Sequence, residues 1–375
     1  MNNSMHPFVW PTLLELPPED IILVYLDLNQ WIGLAQASVG HPQGKAFTGV
    51  LEACRHARSG GGVVFVLSGT IYAEMQKIKD PSQRRALAVV MEELTDFATL
   101  ISRVAVMECE LSAMLDRVAR IPSPLAQVPL LGRGARHAFG LSSRIAIMSA
   151  SGDETEQVRK RMGSVGFDRL MAEMIVKTER SILRGPASRD DEEKLRTLGW
   201  YPEGPRGITE QRAKQEQNLK TLLDAEPRWR RGRLRDVVSA RELEIEFQNI
   251  LPRALKERAL VFEQVITNED SARVFVRAMP STEVSIELKT AWHRNGERKW
   301  TVNDIHDIDA LALATPYCDV VVTEKACHHI LNLAGLPERM DTALLHHLSD
   351  LPRTLNERKP KRRILGDSAV KLLER

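Results

Sequence analysis

Hydrophobic and polar positions along this 375-residue chain follow two regimes. Ile21-Ile22-Leu23-Val24-Tyr25-Leu26 is a nearly continuous apolar run, and Val63-Val64-Phe65-Val66-Leu67 is a second. Runs of this length without polar alternation suit strands buried on both faces, as in a parallel sheet. The first ends in Asp27-Leu28-Asn29-Gln30-Trp31 and passes into a helical pattern. An amphipathic segment from Phe47 to Ala57 and the Gly60-Gly61-Gly62 break lead to the second. Ser68-Gly69-Thr70 then opens a predicted helix carrying Glu74. This is the βαβ rhythm of an α/β protein.

The rhythm stops at Pro81. Apolar residues recur at helical spacing over Arg84 to Val118, Gly166 to Leu183, and Val237 to Ile266, the last interrupted by Pro252. Between them, Arg184 to Pro227 is highly charged and is expected to be rich in loops and mobile. The α/β pattern returns with Asp304-Ile305-His306-Asp307-Ile308-Asp309, which opens a small-residue helix, Ala310-Leu311-Ala312-Leu313-Ala314. Asp319-Val320-Val321-Val322-Thr323 is a further buried strand, ending in Glu324-Lys325. No repeat period or heptad seam is present. The prediction is an α/β protein with a parallel sheet flanked by helices. Its core is split into residues 20–80 and 296–350 by a mostly α-helical insertion at 81–295, with a basic tail at 351–375.

Composition narrows the function classes. Fifty-two Lys+Arg against 50 Asp+Glu leave a formal charge of +2, which excludes a uniformly basic nucleic-acid binder and is silent about local patches. No apolar run approaches the ~20 residues that cross a bilayer, and the N-terminus lacks a basic start followed by an apolar stretch. A cytoplasmic location without membrane contact is the expectation. Cys54, Cys109, Cys318 and Cys327 are sparse and irregularly spaced, so reduced thiols are expected.

Ligands bind parallel sheets at the carboxyl ends of the strands. Asp27 and Glu324 each follow a predicted strand, Glu74 lies seven residues after Leu67, and Asp304, Asp307 and Asp309 mark a helix entrance. Taken alone, the last three would cap and solvate one helix, and Glu74 could sit on a helix surface. Asp27 closes a buried strand and must find a partner. Acids gathered from distant segments repel one another, and a hard divalent cation relieves that repulsion. Oxygen-only donors favour Mg²⁺ or Mn²⁺ over zinc.

Tyr25-Leu26-Asp27-Leu28-Asn29, the stretch Leu67 to Glu74, and Asp307 to Thr323-Glu324 together resemble the dispersed motifs of PIN-like nucleases. The resemblance covers residues 20–80 and 300–335, about a third of the chain. It implies that Asp27, Glu74, Asp307 and Glu324 are the catalytic acids, with Asn29 as a polar neighbour and Asp304 as a fifth acid. Asp27, Asp304, Asp307 and Glu324 are the implied metal set. Asp309 competes with Asp307 for the principal role, and the sequence leaves that register open. Glu324 stands where the family usually has Asp, and the long insertion is unusual for it. The implied chemistry is metal-assisted phosphodiester hydrolysis, on RNA in preference to DNA.

A polyanionic substrate needs basic surroundings. Arg228-Trp229-Arg230-Arg231-Gly232-Arg233-Leu234-Arg235 places five arginines in eight residues beside an indole that can stack on bases. The alternative is a solvated charge run paired to nearby acids. The tail cluster Arg358-Lys359-Pro360-Lys361-Arg362-Arg363 and the patch Arg159-Lys160-Arg161 are weaker candidates. The insertion also offers a surface for a homo-oligomer or a protein partner, or a lid.

Other signals carry less. Cys318, Cys327, His328 and His329 lack the paired spacing of a zinc site and read as a buried cysteine and a helix-borne His pair. His346-His347 has no suitable neighbour in sequence. No phosphate loop or G-x-S-x-G follows any glycine, and Met171 and Met174 read as core. A phosphatase-like enzyme with Asp27 as nucleophile would need an acid at position 29, where this chain has Asn29. The remaining rival is a non-catalytic nucleic-acid- or protein-binding protein with a degenerate site.

Overall fold

The computed structural model describes residues 9–124, 127–141, 146–197, 203–361 and 363–365. The apolar runs form a four-stranded parallel sheet: β1 (Ile22–Leu26), β2 (Val63–Val66), β3 (Val320–Val322) and β4 (Ala343–Leu345), in the order β4-β3-β1-β2. Every residue of β1 and β3 is buried, which explains why neither run alternates. β3 enters beside β1 with Val322 opposite Leu26, although about 300 residues separate them. Asp27 N–H extends the ladder by donating to the Val322 carbonyl at 3.1 Å. The first and last thirds of the chain therefore share one sheet, and the residues following β1 and β3 emerge together.

Four helices follow the early strands: α1 (Leu28–Ser38), α2 (Thr48–Ser59), α3 (Gly69–Met75) and α4 (Pro81–Thr95). Arg84 to Val118 divides into α4 and α5 (Arg103–Ala119). Asp96 and Phe97 adopt positive φ between them and turn the chain into a short strand, Ala98–Leu100. Leu67 pairs with that strand, donating to the Ala98 carbonyl and accepting from Leu100 N–H, both at 2.9 Å. The start of the insertion thus continues the sheet edge. Leu87, Met91, Leu94 and Phe97 join the same apolar core as β1 and β2.

The charged stretch Arg184 to Pro227 is mostly helical where described, with residues 185–188 a short connection, which corrects the loop-rich expectation. It holds Arg189–Thr197 and α7 (Glu203–Ala225), after α6 (Thr155–Arg184); residues 198–202 lie outside the described set. In α6, Met171 is partly buried and Met174 is exposed, so neither is a fully buried core residue. Val237 to Ile266 is also broken: α8 (Leu234–Ile245) ends before the short helices Leu251–Glu257 and Phe262–Val265. α9 (Pro280–Arg294), α10 (Val302–Tyr317) and α11 (Lys325–Leu333) return the chain to the sheet.

α7 to α9 share a small apolar cluster of Leu219, Leu223, Leu234, Val238 and Ile286, and a buried charge network ties them further. Lys289 is 2% exposed, and its ammonium meets Glu216 at 2.7 Å and Glu242 at 2.6 Å. Arg103 of α5 reaches the other oxygen of Glu242 at 2.7 Å, and His293 Nε2 lies 3.0 Å from Glu216. Buried charges are tolerated only when paired in this way, and each pair fixes one helix against another.

The described part of the tail, up to Leu365, packs against the start of β3 and forms a separate two-stranded sheet with the N-terminal segment. Lys361 is buried, and its ammonium donates to the Pro316 carbonyl at 2.6 Å. Asp319 is fully buried at the start of β3 and accepts from Leu23 N–H at 2.7 Å, Lys361 N–H at 2.6 Å and Arg363 Nη2 at 3.0 Å. Ile364–Leu365 then pairs in parallel with Val9–Trp10. Arg362 lies outside the described residues. All four cysteines are free and buried, and among the described residues no helix is long and apolar enough to cross a membrane.

Candidate functional site

The acids arrive at one sheet edge by separate routes. Asp27 follows β1 and caps α1, its carboxylate accepting from Leu28 N–H at 2.7 Å. Ser68 caps α3 by accepting from Ile71 N–H, and this places Glu74 on the helix after β2. Thr301 caps α10, whose second turn carries Asp307. Glu324 follows β3 at the start of α11, and Asn29 Nδ2 donates to its Oε1 at 2.6 Å. That bond ties the end of β1 to the end of β3.

These carboxyls feel one another. Burial pushes Asp27 up to about 6, with Glu324 adding to the effect. Burial and then Asp27 and Glu324 raise Glu74 to about 7. Asp307 rises furthest, to about 8, through burial and then the charges of Asp27, Glu74 and Glu324. Burial disfavours the charged form of each acid, and the neighbouring carboxylates add to that effect.

Asp304 and Asp309 are committed elsewhere. Asp304 accepts from Thr301 N–H at 2.6 Å and from Thr301 Oγ1 at 2.8 Å, and its other oxygen meets Arg298. This is a capping arrangement in which both carboxylate oxygens are engaged. Asp309 is gripped by Arg103 Nη1 at 2.7 Å and Arg212 Nη1 at 2.6 Å. Burial alone would raise it, but Arg212 and Arg103 hold it far below the usual carboxylate range. Of the two, Asp307 is the acid that feels the charges of Asp27 and Glu74.

Two groups at the edge escape a sequence reading. Lys77, an exposed residue, follows α3; its ammonium donates to Asn303 Oδ1 at 3.0 Å, and partial burial lowers its pKa against the opposing pull of Glu74 and Asp307. Its three-residue distance from Glu74 was the available signal. Cys327 is buried next to the acids, and burial followed by the Asp307, Asp27 and Glu324 charges pushes its thiol far up, leaving it protonated. His328 and His346 come together with ring centroids 4.5 Å apart, and His346 and His347 lie 4.0 Å apart.

The arginine cluster is less open than its sequence suggests. Arg228 pairs with Glu226, Arg230 with Asp224, Arg233 with Asp236 and Glu269, and Arg235 with Glu287. Trp229 is 40% exposed, with the Arg228 guanidinium 5.4 Å from its ring. Arg231 is exposed and has no carboxylate partner among the described residues. Two clefts of about 480 and 430 Å³ lie within the insertion, one against Phe167 and one against Leu243 and Phe262, and none of the four acids lines either.

Among the described residues, no three His, Cys, Asp or Glu side chains already stand together as a ligand set. The donor chemistry nonetheless suits a hard cation: Asp27, Glu74, Asp307 and Glu324 offer oxygen only, and the first three are held above their ordinary pKa by burial and, after it, by neighbouring carboxylates. Comparison with protein-family models, curated proteins and solved structures finds no match for this chain.

Proposed function

We propose that this chain is a PIN-like, divalent-metal-dependent nuclease that hydrolyses phosphodiester bonds, with RNA favoured over DNA by the sequence resemblance. The observation carrying this reading is the gathering of Asp27, Glu74, Asp307 and Glu324 from four distant segments at one parallel-sheet edge, where burial first and the neighbouring carboxylates second raise three of them. Buried acids that also feel one another's charge are a cost that a stable protein retains where a cation or a proton-transfer step uses it. Asp27 and Asp307 would hold Mg²⁺ or Mn²⁺, while Glu74 and Glu324 would complete the shell or orient water. When bound, the cation supplies charge neutralisation and a more acidic water. Asn29 fixes the Glu324 carboxylate, which supports its longer side chain in a site where the family usually has Asp.

The second reading is a non-catalytic nucleic-acid- or protein-binding protein with a degenerate site. It is favoured by the lack of a preformed ligand set among the described residues and by the engagement of Asp304 with Arg298 and Thr301. The test is cleavage of labelled single-stranded RNA and DNA in Mn²⁺ or Mg²⁺ by the full chain and by Asp27→Asn. Metal-dependent products lost in Asp27→Asn support the nuclease. Cleavage that survives EDTA sinks the metal reading, and retention of nucleic acid without products supports the binding protein.

A further inference from the structure

Asn303 and Asp307 are four residues apart on α10 and so share a face, while Glu74 and Lys77 are joined by a Lys77 N–H bond to the Glu74 carbonyl at 2.9 Å. Lys77 lies where these two faces meet. The residue is exposed, and its ammonium forms no ion pair among the described residues and donates to the neutral amide of Asn303 at 3.0 Å. Most arginines of the insertion cluster, by contrast, are neutralised by their own carboxylates. A fixed, accessible and unpaired cation beside an excess of carboxylates is suited to a ligand that brings anionic oxygens to that edge.

We infer that Lys77, positioned by Asn303, grips a phosphate of the substrate strand next to the acid centre. The inference rests on the nuclease reading and adds a substrate contact to it. Lys77 donates to a non-bridging phosphate oxygen, offsetting the repulsion between the polyanion and the acids. Asn303 keeps the ammonium from collapsing onto Glu74, with which it would otherwise form an internal ion pair. Arg206, whose charge also reaches Lys77, lies on the same flank and is occupied by Glu210 at 2.8 Å.

The experiment compares Lys77→Gln and Lys77→Arg with Lys79→Gln, an exposed neighbour, in the full chain. Binding of a mixed-sequence single-stranded RNA is measured against salt in Ca²⁺, and cleavage in Mn²⁺. Loss of one phosphate contact lowers the slope of log K against log salt by about 0.7 in Lys77→Gln. Lys77→Arg keeps the slope, and Lys79→Gln matches the parent. In cleavage, Lys77→Gln raises KM about tenfold with kcat little changed, the pattern of a contact made equally in ground and transition states. A Lys77→Gln protein with parental slope and KM overturns the inference, and leaves the nuclease reading standing if Asp27→Asn is inactive. A changed Mn²⁺ midpoint with an unchanged salt slope also overturns it, because Lys77 would then serve only to balance the acids. If the parent cuts nothing, the nuclease reading fails, and the salt slope still decides whether Lys77 contacts phosphate.

Discussion

Asp307 and Asp309 stand two residues apart on α10 and face opposite charge. Asp307 looks toward Asp27, Glu74 and Glu324, while Asp309 lies between the guanidinium groups of Arg103 and Arg212. A two-residue step turns roughly 200° around a helix, so one acid reaches the sheet edge and the other reaches the insertion. The insertion thereby grips the helix that carries the candidate site. Glu179 of α6 does the same for α3, accepting from Tyr72 Oη at 3.2 Å and from Ala135 N–H at 2.8 Å. Gly134 makes room for it: the residue has φ +80°, and a Cβ there would fall 2.3 Å from the Glu179 carboxylate.

The two aspartates are expected to respond to substitution with opposite sign. Asp309→Ala leaves Arg103 and Arg212 short of a carboxylate in a largely buried network and should cost about 3 kcal/mol of stability. Urea unfolding measures this loss. A change below about 0.5 kcal/mol, the range of ordinary surface substitutions, would show that the clamp contributes little.

Asp307→Asn should stabilise the metal-free protein at alkaline pH. The folded-state values of Asp27, Glu74 and Asp307, about 6, 7 and 8, lie above those of unfolded carboxyls, so the native state binds more protons across that window. The stability contributed by these protons is present near pH 4 and is lost as pH rises through the folded values. Removing the acid with the highest value should raise Tm at pH 8 by about 2 °C or more, with little effect near pH 5. Thermal melts in EDTA at both pH values provide the comparison.

Divalent metal should reverse that pH trend. Mn²⁺ must displace the protons held by Asp27, Glu74 and Asp307, so its binding releases protons and tightens as pH rises. Calorimetry in two buffers of different ionisation enthalpy reads the proton count directly. Equal Mn²⁺ affinity at pH 6 and pH 8 would argue against these carboxyls as the ligands.

The tail is expected to act as a structural strap. Arg363→Ala removes one partner from the fully buried Asp319 while two backbone N–H donors remain, and a loss of about 1.5–3 kcal/mol follows. Chain truncation before Lys361 should cost more, since it also strips a backbone donor from Asp319. Denaturation midpoints of the two variants give the order.

Within the arginine cluster, salt-dependent nucleic-acid binding should depend mainly on Arg231. Arg231→Ala should lower the salt slope by about 0.7 for a single strand. Arg235→Ala breaks its 2.5 Å bond to Glu287 and should lower stability instead, with a smaller change in slope. Filter binding across a salt series separates these outcomes.

The sequence by itself determined three of the four strands and the acids that follow two of them, while the three-residue strand Ala343–Leu345 was not legible in it. Ile22–Leu26, Val63–Val66 and Val320–Val322 are uninterrupted apolar runs, and an unbroken run can only be satisfied by burial on both faces. Asp27 and Glu324 were legible because a polar group that closes such a run must lie at its edge, and Glu74 was legible only through the family resemblance of the helix that follows the second run. Tertiary structure decided everything that depended on partners distant in sequence. Asp307 and Asp309 look alike until Arg103 and Arg212 take one of them, and the basic tail looks free until Lys361 and Arg363 reach Asp319. The arginine run likewise looks like an open clamp until Asp224, Asp236 and Glu287 are placed beside it. Periodicity reports the environment a segment needs along its own length; the charge that neutralises a given side chain comes from another segment, and only the folded chain brings the two together.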